Sequence, residues 1–399
     1  MINRRTKEPI WLMIIRITLA LLFLFSGFTK AVDPVAWGIK MDEYFVSFGM
    51  NFMHPFSFYI GFIPTVAELV LGFMLLLRIR VNITTIGYLL FMTFFFFLTL
   101  WLAIAEHLEV KYGYQLGVVK DCGCFGQAIE MSNLETFLKN VVIMIPTLII
   151  FFKRKSIPDI QLTVLGQWLL TGIAVLIAFG FEIYCVMNLP VVDFTNWKEG
   201  NNVATYFIDK PAQKEIVFLY KNKLDPTQIV SLTEDQMMSI TDQKPLFYDE
   251  YEYIDRKDSL ISPAIPAQKT GFNMLDSTGR DYASAYINTE KSAFILFIHN
   301  LDEANLKGIN HKNLQALILD CKEKNIDFVA VTNSSEQEIK LFIEKNKITY
   351  PIFHNPIDPV KGPFMVRDAV RSNPGLLWIE KGFVVKKWSW RNFPDKISN

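Results

Sequence analysis

Five long apolar segments in the first half of the chain constrain its fold more than any other feature. A membrane-spanning helix needs about 20 mostly apolar residues, and the runs that approach this length cover residues 11–28, 55–77, 82–105, 137–152 and 162–187. Hydrophobic side chains make up 51% of the 399 residues, although residues 193–399 have the composition of an ordinary charged domain. The sequence therefore predicts a membrane part with five spans, followed by one soluble part.

The fourth and first segments are the least regular of the five. The fourth is short and carries Lys139 near one end, but Ser132 and Glu135 form an S-x-x-E capping box, so its helix is expected to begin as early as Asn133. The first follows the basic stretch MINRRTK, as the apolar region of a signal peptide does. No A-x-A-like cleavage site follows it and Arg16 interrupts it, so we interpret it as a span.

The basic residues of the short loops predict the orientation, because cytoplasmic loops carry an excess of Lys and Arg. With the N-terminus inside, the cytoplasmic loops contain Arg4, Arg5, Lys7, Arg78, Arg80, Lys153, Arg154 and Lys155. The opposite loops contain only Lys30, Lys40, Lys111 and Lys120. In a Gram-negative bacterium this predicts an inner-membrane protein with a cytoplasmic N-terminus. Its soluble part and the loop between spans three and four would then face the oxidising periplasm.

That loop contains the stretch KDCGCFGQ, in which Cys122 and Cys124 are two of the four cysteines of the chain. The Cα atoms of a disulfide usually lie about 4.4–6.8 Å apart, and cysteines separated by one residue meet this limit only in a tight turn, which Gly123 makes feasible. Strained, exposed disulfides are the labile, catalytic or regulatory ones. Asp121 would oppose a thiolate, whereas the lysine before it would favour one.

Three interpretations of the cysteine pair stay open, in order of preference: thiol–disulfide exchange, a structural disulfide and a metal site. The metal site comes last because two thiolates need further ligands, the nearest imidazole, His107, lies fifteen residues upstream of Cys122, and the histidines are scattered. Cys185, near the outer end of span five, could cap one of the two thiols or act as a resolving cysteine. Cys321 lies in an amphipathic helical stretch and is interpreted as a packed core thiol.

Three charged residues in or beside the spans are candidate supporting residues. Glu68 lies near the middle of span two, where an ionisable group indicates a function. Arg16 lies about 8 Å from the cytoplasmic end of span one and could pair with Glu68, either to fix helix packing or to handle protons. Lys30, just past span one, is interpreted as an interfacial anchor. The phenylalanine run at residues 94–97 is interpreted as lipid-facing or packing side chains.

The membrane half resembles the DoxX/MauE group of four-helix membrane proteins. The matching features are Arg16, SGFTKAVDP with Lys30, Tyr44, PTVAELVLG with Glu68, and above all DCGCFG at residues 121–126. The resemblance covers residues 11–152. It implies thiol-linked or quinone-linked redox chemistry, because MauE is associated with disulfide maturation and DoxX with a quinone-reducing complex.

The soluble half resembles a thioredoxin-like domain from Ala264 onwards. The predicted elements are a strand at 292–299, a helix around 306–324, a strand at 326–333, a helix at 336–345 and a hairpin at 375–390. Pro374 stands where that fold keeps a cis-proline. A redox-active thioredoxin domain carries C-x-x-C after the first of these strands, but the corresponding residues NLDEAN contain no cysteine. The resemblance therefore implies a non-catalytic domain, as in DoxX-type proteins of Bacteroidetes with fused tails.

The predicted fold class is a membrane α-helical bundle followed by an α/β thioredoxin-like soluble domain. We expect a DoxX/MauE-like four-helix membrane domain at 1–155, a fifth transmembrane helix at 156–190, a strand-containing connecting segment at 191–263 and the thioredoxin-like domain at 264–399. The stretch EIVFLYKN in the connecting segment predicts a strand. This strand either extends the edge of the thioredoxin-like sheet or belongs to an arm that grips a partner protein.

The favoured hypothesis is an inner-membrane thiol–disulfide redox protein in which Cys122 and Cys124 cycle, while the soluble domain docks envelope proteins without reacting. The bilayer is an expected partner and a quinone a possible cofactor; no metal is predicted. Nucleic acid is not an expected partner, because the net charge is zero and no basic cluster is interleaved with aromatics. The alternative is a non-enzymatic scaffold with a permanently oxidised CGC loop. The missing C-x-x-C favours the scaffold, and the exposed CGC loop favours redox exchange.

Overall fold

A computed structural model describes residues 8–114, 116, 119, 122–126, 128–129, 131–207, 213–244, 246–262, 272–288, 290–302, 304–357 and 364–397. The membrane part contains α1 (Ile10–Ala31), α2 (Pro34–Ser47), α3 (Ser57–Leu77), α4 (Val81–Tyr112), α5 (Asn133–Lys153) and α6 (Val164–Met187). All of these except α2 belong to the five helices that are long and apolar enough to cross a bilayer. The prediction of five spans is confirmed.

Local sequence signals set the helix ends. At the start of α5, Ser132 and Glu135 form the predicted capping box. The short helix α2 was not predicted, because its composition is mixed and it follows α1 after only two residues. Its start nevertheless carries two standard signals: the Asp33 side chain accepts a hydrogen bond from the Ala36 N–H at 3.1 Å, and Pro34 occupies the first helical position.

The bundle is built from two closely packed helix pairs, α1 with α3 and α4 with α5, while α6 packs against α3, α1 and α2. Gly72 allows α1 and α3 to approach, because a Cβ atom there would lie 3.0 Å from the backbone nitrogen of Leu24. In α4, Phe94 and Phe97 are 63% and 61% exposed and face outward, whereas Phe95 is buried inside the bundle. The interpretation of this run as lipid-facing and packing residues agrees with these positions.

The connecting segment forms a small sheet of its own. It contains α7 (Ala204–Phe207), β1 (Gln213–Asn222), β2 (Ile229–Thr233), α8 (Glu234–Gln243), α9 (Phe247–Glu250) and β3 (Tyr251–Ser262). The strand order is β2-β1-β3, with both pairings antiparallel. The prediction that the strand at EIVFLYKN extends the thioredoxin-like sheet is therefore wrong. That strand is β1, and both of its edges are paired, one with β2 and the other with β3.

The C-terminal domain contains a five-stranded mixed sheet. Its elements are α10 (Ala283–Ile287), β4 (Ser292–Ile298), α11 (Leu306–Ile309), α12 (Lys312–Glu323), β5 (Asp327–Thr332), α13 (Glu336–Asn346), β6 (Ile352–His354), α14 (Phe364–Ala369), β7 (Gly375–Glu380) and β8 (Phe383–Ser389). The strand order is β6-β5-β4-β7-β8, in which β4, β5 and β6 are parallel and β7 and β8 are antiparallel additions. The bond before Pro374 is cis. The predicted fold class is confirmed.

Side chains on both faces of this sheet are buried, as the predicted strand and helix alternation requires. Phe297 and Leu377 belong to one core cluster, and Phe294 and Leu376 belong to the cluster on the opposite face, beneath α12 and α13. Successive residues of β4 thus point to opposite faces. Cys321 of α12 lies in the second cluster, as predicted for a core thiol.

Candidate functional site

The CGC loop is a tight turn between α4 and α5. The two sulfur atoms lie 3.1 Å apart, so a small movement would bring them to the bond length of about 2.05 Å in a disulfide. Gly123 and Gly126 have φ values of +65° and +56°, in the left-handed region that favours glycine, and the Gly126 N–H donates to the Gly123 carbonyl at 2.8 Å. The two glycines therefore give the loop the turn that the sequence predicts.

The turn is packed closely against α1 and α2. A Cβ atom on Gly123 would lie 3.0 Å from the Trp37 ring, and one on Gly126 would lie 2.9 Å from the Thr29 carbonyl oxygen. The Tyr44 hydroxyl donates to the Cys122 carbonyl at 3.2 Å. Both helices thus help to fix the position of the loop.

The two thiols differ in exposure and in acidity. Cys122 is fully buried, whereas Cys124 is half-buried. The pKa of Cys124 is lowered to about 6, chiefly by its hydrogen bond with Cys122 and then by the positive charges of Lys139 and Lys30, while burial opposes this. The pKa of Cys122 is raised by the same hydrogen bond and by burial. Cys124 is therefore the thiolate of the pair.

A buried ion pair lies beside the loop. Lys30 Nζ contacts both carboxylate oxygens of Glu68 at 2.6 Å, and the two residues are 2% and 5% exposed. Lys30 Nζ also donates to the Ser26 hydroxyl at 2.9 Å, and this hydroxyl donates to the Cys124 carbonyl at 2.8 Å. A continuous chain of polar contacts therefore joins Glu68 to the CGC loop.

The Lys30–Glu68 ion pair contradicts two predictions made from the sequence, one about Lys30 and one about Arg16. Lys30 is not an interfacial anchor, because α1 continues to Ala31 and carries Lys30 into the bundle. Arg16 does not pair with Glu68: its guanidinium binds Glu8 at 2.7 Å and donates to the carbonyls of Leu75 and Leu76. These carbonyls belong to the last turn of α3, where helical carbonyls lack intrahelical partners, so Arg16 caps that helix.

An internal cavity adjoins Cys124. It has a volume of about 450 Å³ with its open part included. Its polar lining consists of Ser26, Lys30, Glu68, Cys124, Lys139 and Asn140. Its aromatic lining consists of Phe23, Phe91, Phe95 and Phe125. A smaller pocket of about 180 Å³ touches Cys124 beside Ile129 and Met131. Cys124 thus lines both spaces, and Cys122 lines neither.

Lys139 is a site residue that the sequence analysis did not identify. Its Nζ atom lies 4.5 Å from the centre of the Phe125 ring, and its charge and hydrogen bonding favour the Cys124 thiolate. The available signal was a lysine early in the fourth span, because ionisable residues within membrane spans are rare and commonly functional.

The structure does not bring Cys185 to the pair. Cys185 is a buried free thiol on α6, within electrostatic range of Asp33 and Glu182, and in the described part of the chain it bonds to neither Cys122 nor Cys124. The reason is packing, because α6 lies chiefly against α3, α1 and α2, whereas the CGC loop joins α4 to α5. Asp121, the acidic candidate next to the pair, lies outside the described residues.

No cluster of three or more potential metal ligands occurs among the described residues. In the soluble domain, the segment at the position of a thioredoxin C-x-x-C contains no cysteine. His299, at the end of β4, is buried and its pKa is lowered to about 3 by burial, although its Nε2 atom lies 2.8 Å from the Val370 carbonyl. Three of the four cysteines of the chain, Cys122, Cys124 and Cys185, therefore lie in the membrane part.

Fold and site together define a helical membrane protein with a dithiol turn above an internal cavity, joined to an α/β domain of thioredoxin-like topology. Residues 8–153 match the profile of the family described as methylamine utilisation protein MauE, so the first four spans form a MauE family domain. The predicted resemblance of this region to MauE is confirmed.

Comparison with solved structures gives a weak match for part of the chain, at 16% identity and with a TM-score of 0.24: the solution structure of a candidate protein disulfide isomerase from Bacteroides thetaiotaomicron. The match covers 30% of this chain and 76% of that one. No curated protein matches the chain.

Proposed function

We propose that this protein is an inner-membrane thiol oxidase in which Cys122 and Cys124 exchange a disulfide with substrate thiols. The observation that carries the proposal is the pair of sulfurs 3.1 Å apart, with one of them lining a cavity that contains Lys30 and Lys139. Cations beside a thiol favour its thiolate. A stabilised reduced form makes the corresponding disulfide a stronger oxidant, so the arrangement favours oxidation of substrates.

The two cysteines take different roles because only Cys124 is accessible. A substrate thiolate attacks the Cys124 sulfur of the disulfide, and Cys122 leaves and takes up a proton. The second thiol of the substrate then attacks the substrate sulfur of the mixed disulfide and expels Cys124 as a thiolate. Low-pKa thiols leave fastest, so Cys124 suits the second step. The substrate loses two electrons and two protons and gains a disulfide.

The chemical character of the cavity lining suits a quinone as the acceptor of these electrons. Aromatic side chains form its walls, Cys124 and Lys139 reach it, and Phe95 and Phe91 extend it into the bundle. Most ligand sites have such an apolar lining with a few polar groups. When bound, a quinone would take up two electrons and two protons as the dithiol returns to the disulfide. Lys139 would donate a hydrogen bond to a carbonyl oxygen, and the Lys30–Glu68 pair would supply or accept protons.

The topology is part of the same proposal. The excess of basic residues on the opposite side supports a cytoplasmic N-terminus, with the CGC loop and the soluble domain in the periplasm. The soluble domain would present envelope proteins to the loop without reacting itself. A membrane-impermeant maleimide should therefore label reduced Cys124 in intact cells, and labelling only after lysis would contradict this orientation.

Trapping of mixed disulfides tests the chemistry. When Cys122→Ser is incubated with the disulfide form of a substrate, the Cys124 thiolate should attack that disulfide, release one substrate thiolate and accumulate as a mixed disulfide, because Cys122 is absent and cannot release it; Cys124→Ser should form none. Cys321→Ser, which changes a buried core thiol, is the matched control and should behave as the wild type. Unchanged activity in the variant that combines Cys122→Ser and Cys124→Ser would exclude the redox function. A pair that stays oxidised until the protein is denatured would favour the alternative, a non-enzymatic scaffold.

Reduction of a short-chain quinone by the dithiol protein in nanodiscs tests the acceptor. We expect bleaching of quinone absorbance together with formation of the Cys122–Cys124 disulfide. Phe95→Leu should slow this reaction, and Phe97→Leu, a change on the exposed face of the same helix, should not. Equal rates in the two variants would remove the cavity from the electron path.

A further inference from the structure

A buried ion pair joins the soluble domain to the membrane domain. Arg371 follows α14 and precedes the cis-proline, and its Nε atom lies 3.0 and 2.8 Å from the two carboxylate oxygens of Asp33, which precedes α2. The two residues are 5% and 7% exposed. The contact fixes the soluble domain against the start of α2, and removing either partner alone would leave the other charge buried and uncompensated.

Other buried polar contacts hold Arg371 in place. Its Nη1 atom donates to the Arg367 carbonyl at 2.7 Å and to Asp368 at 2.8 Å. Nearby, Lys387 binds Asp193 at 2.6 Å and lies within electrostatic range of both Arg371 and Asp33. The guanidinium is thus oriented by the soluble domain before it meets the membrane domain.

Asp33 connects this contact to the CGC loop. The same carboxylate that binds Arg371 caps the first turn of α2 through the Ala36 N–H. One turn further along, Trp37 contacts Gly123, and Tyr44 of the same helix bonds to the Cys122 carbonyl. A change in the position of α2 therefore changes the packing around both cysteines.

We propose that Arg371 is a positioning residue for the Cys122–Cys124 pair: the soluble domain fixes α2 through Asp33 and thereby sets the dithiol–disulfide equilibrium of the membrane domain. The loop before the cis-proline is then occupied by the chain's own membrane domain and is not a surface for an external partner. This inference rests on the proposed redox function of the pair.

The test is Arg371→Gln in the full-length protein in nanodiscs, compared with Asp33→Asn, whose side chain retains an oxygen that can cap α2. Arg391→Gln is the matched control, because Arg391 belongs to the soluble domain and donates to the Met187 carbonyl at the end of α6. The readouts are the fraction of oxidised pair in defined thiol–disulfide buffers and the pH midpoint for alkylation of Cys124.

Arg371→Gln and Asp33→Asn should each shift the equilibrium about tenfold towards the disulfide, which corresponds to about 30 mV for two electrons, and should raise the alkylation midpoint. Arg391→Gln should leave both within twofold of the wild type. Folded variants with wild-type values in both readouts would overturn the inference. If Arg371→Gln does not fold, Asp33→Asn decides the question. A wild-type pair that does not titrate at all would instead refute the proposed function, while the alkylation midpoint would still test the role of Arg371.

Discussion

Replacing Cys122 by alanine should raise the pH at which Cys124 becomes reactive. The pKa of Cys124 is about 6, and its largest cause is the hydrogen bond with Cys122 across 3.1 Å. Without that bond, burial opposes only the weaker effects of Lys139 and Lys30. We therefore expect the pKa of Cys124 to rise towards the ordinary thiol value of about 8.5.

The magnitude decides which measurement is useful. At pH 7 the thiolate fraction of Cys124 would fall from about 90% to about 3% if its pKa rose from about 6 to about 8.5. A more basic thiolate is also more nucleophilic, by about tenfold over this range. The alkylation rate at pH 7 would thus fall only about two- to threefold. The midpoint of the full pH profile moves by the whole change in the pKa of Cys124, so it distinguishes Cys122→Ala from the wild type far better than the rate at pH 7.

The assay is quenched alkylation of the reduced protein with iodoacetamide between pH 4.5 and 10, with mass spectrometry of the peptide that contains Cys124. Cys321 is an internal reference, because burial raises its pKa to about 12 and it should stay slow throughout. A wild-type midpoint near 8.5, or an unchanged midpoint in Cys122→Ala, would refute the reasoning.

Three further predictions concern stability, measured by thermal unfolding in detergent. Lys30→Met leaves Glu68 buried without its cation and should lower the free energy of unfolding by about 3–5 kcal/mol; the added change Glu68→Leu should recover most of this, and no recovery would contradict the pairing. Gly126→Ala should destabilise the protein more than Gly113→Ala, because the new Cβ atom at position 126 would lie 2.9 Å from a backbone oxygen, whereas the one at position 113 would enter open space. Both positions have a left-handed backbone, which alone costs an alanine about 1–2 kcal/mol. Equal losses of stability in the two variants would argue against a loop fixed by packing. Glu182→Leu should raise the midpoint temperature of unfolding, because both carboxylate oxygens are buried without a hydrogen-bond partner among the described residues. A lower midpoint temperature would show that the Glu182 carboxyl group makes a stabilising contact.

The elements with strong local signals could be predicted from the sequence. Apolar length indicated the five spans, and the capping box placed the start of α5 at Asn133. Strand and helix alternation indicated four of the five strands of the C-terminal sheet, all except β6, and Pro374 has the expected cis bond. The dithiol turn was predictable as well, because only a glycine between Cys122 and Cys124 relieves the left-handed backbone there.

The partners across helices could not be predicted, because they depend on packing that no local pattern encodes. The first span was expected to end at residue 28, but α1 continues for three more residues, close to one turn, and this carries Lys30 to Glu68. Lys139 is fifteen residues from Cys124 in the chain, and only the start of α5 brings the two together. The pairing of Arg371 with Asp33 has no sequence signal at all.

That last contact has a consequence for how the protein is made. Arg371 lies 245 residues after Gly126, the last glycine of the dithiol turn, and translation at about 5–20 residues per second needs between about 12 and 49 seconds to cover this distance. Throughout that interval the dithiol turn is already synthesised but still lacks its support from the soluble domain. In a nascent or prematurely terminated chain, the soluble domain therefore does not yet set the dithiol–disulfide equilibrium of the cysteine pair. That equilibrium reaches its final value only after Arg371 has been synthesised and binds Asp33.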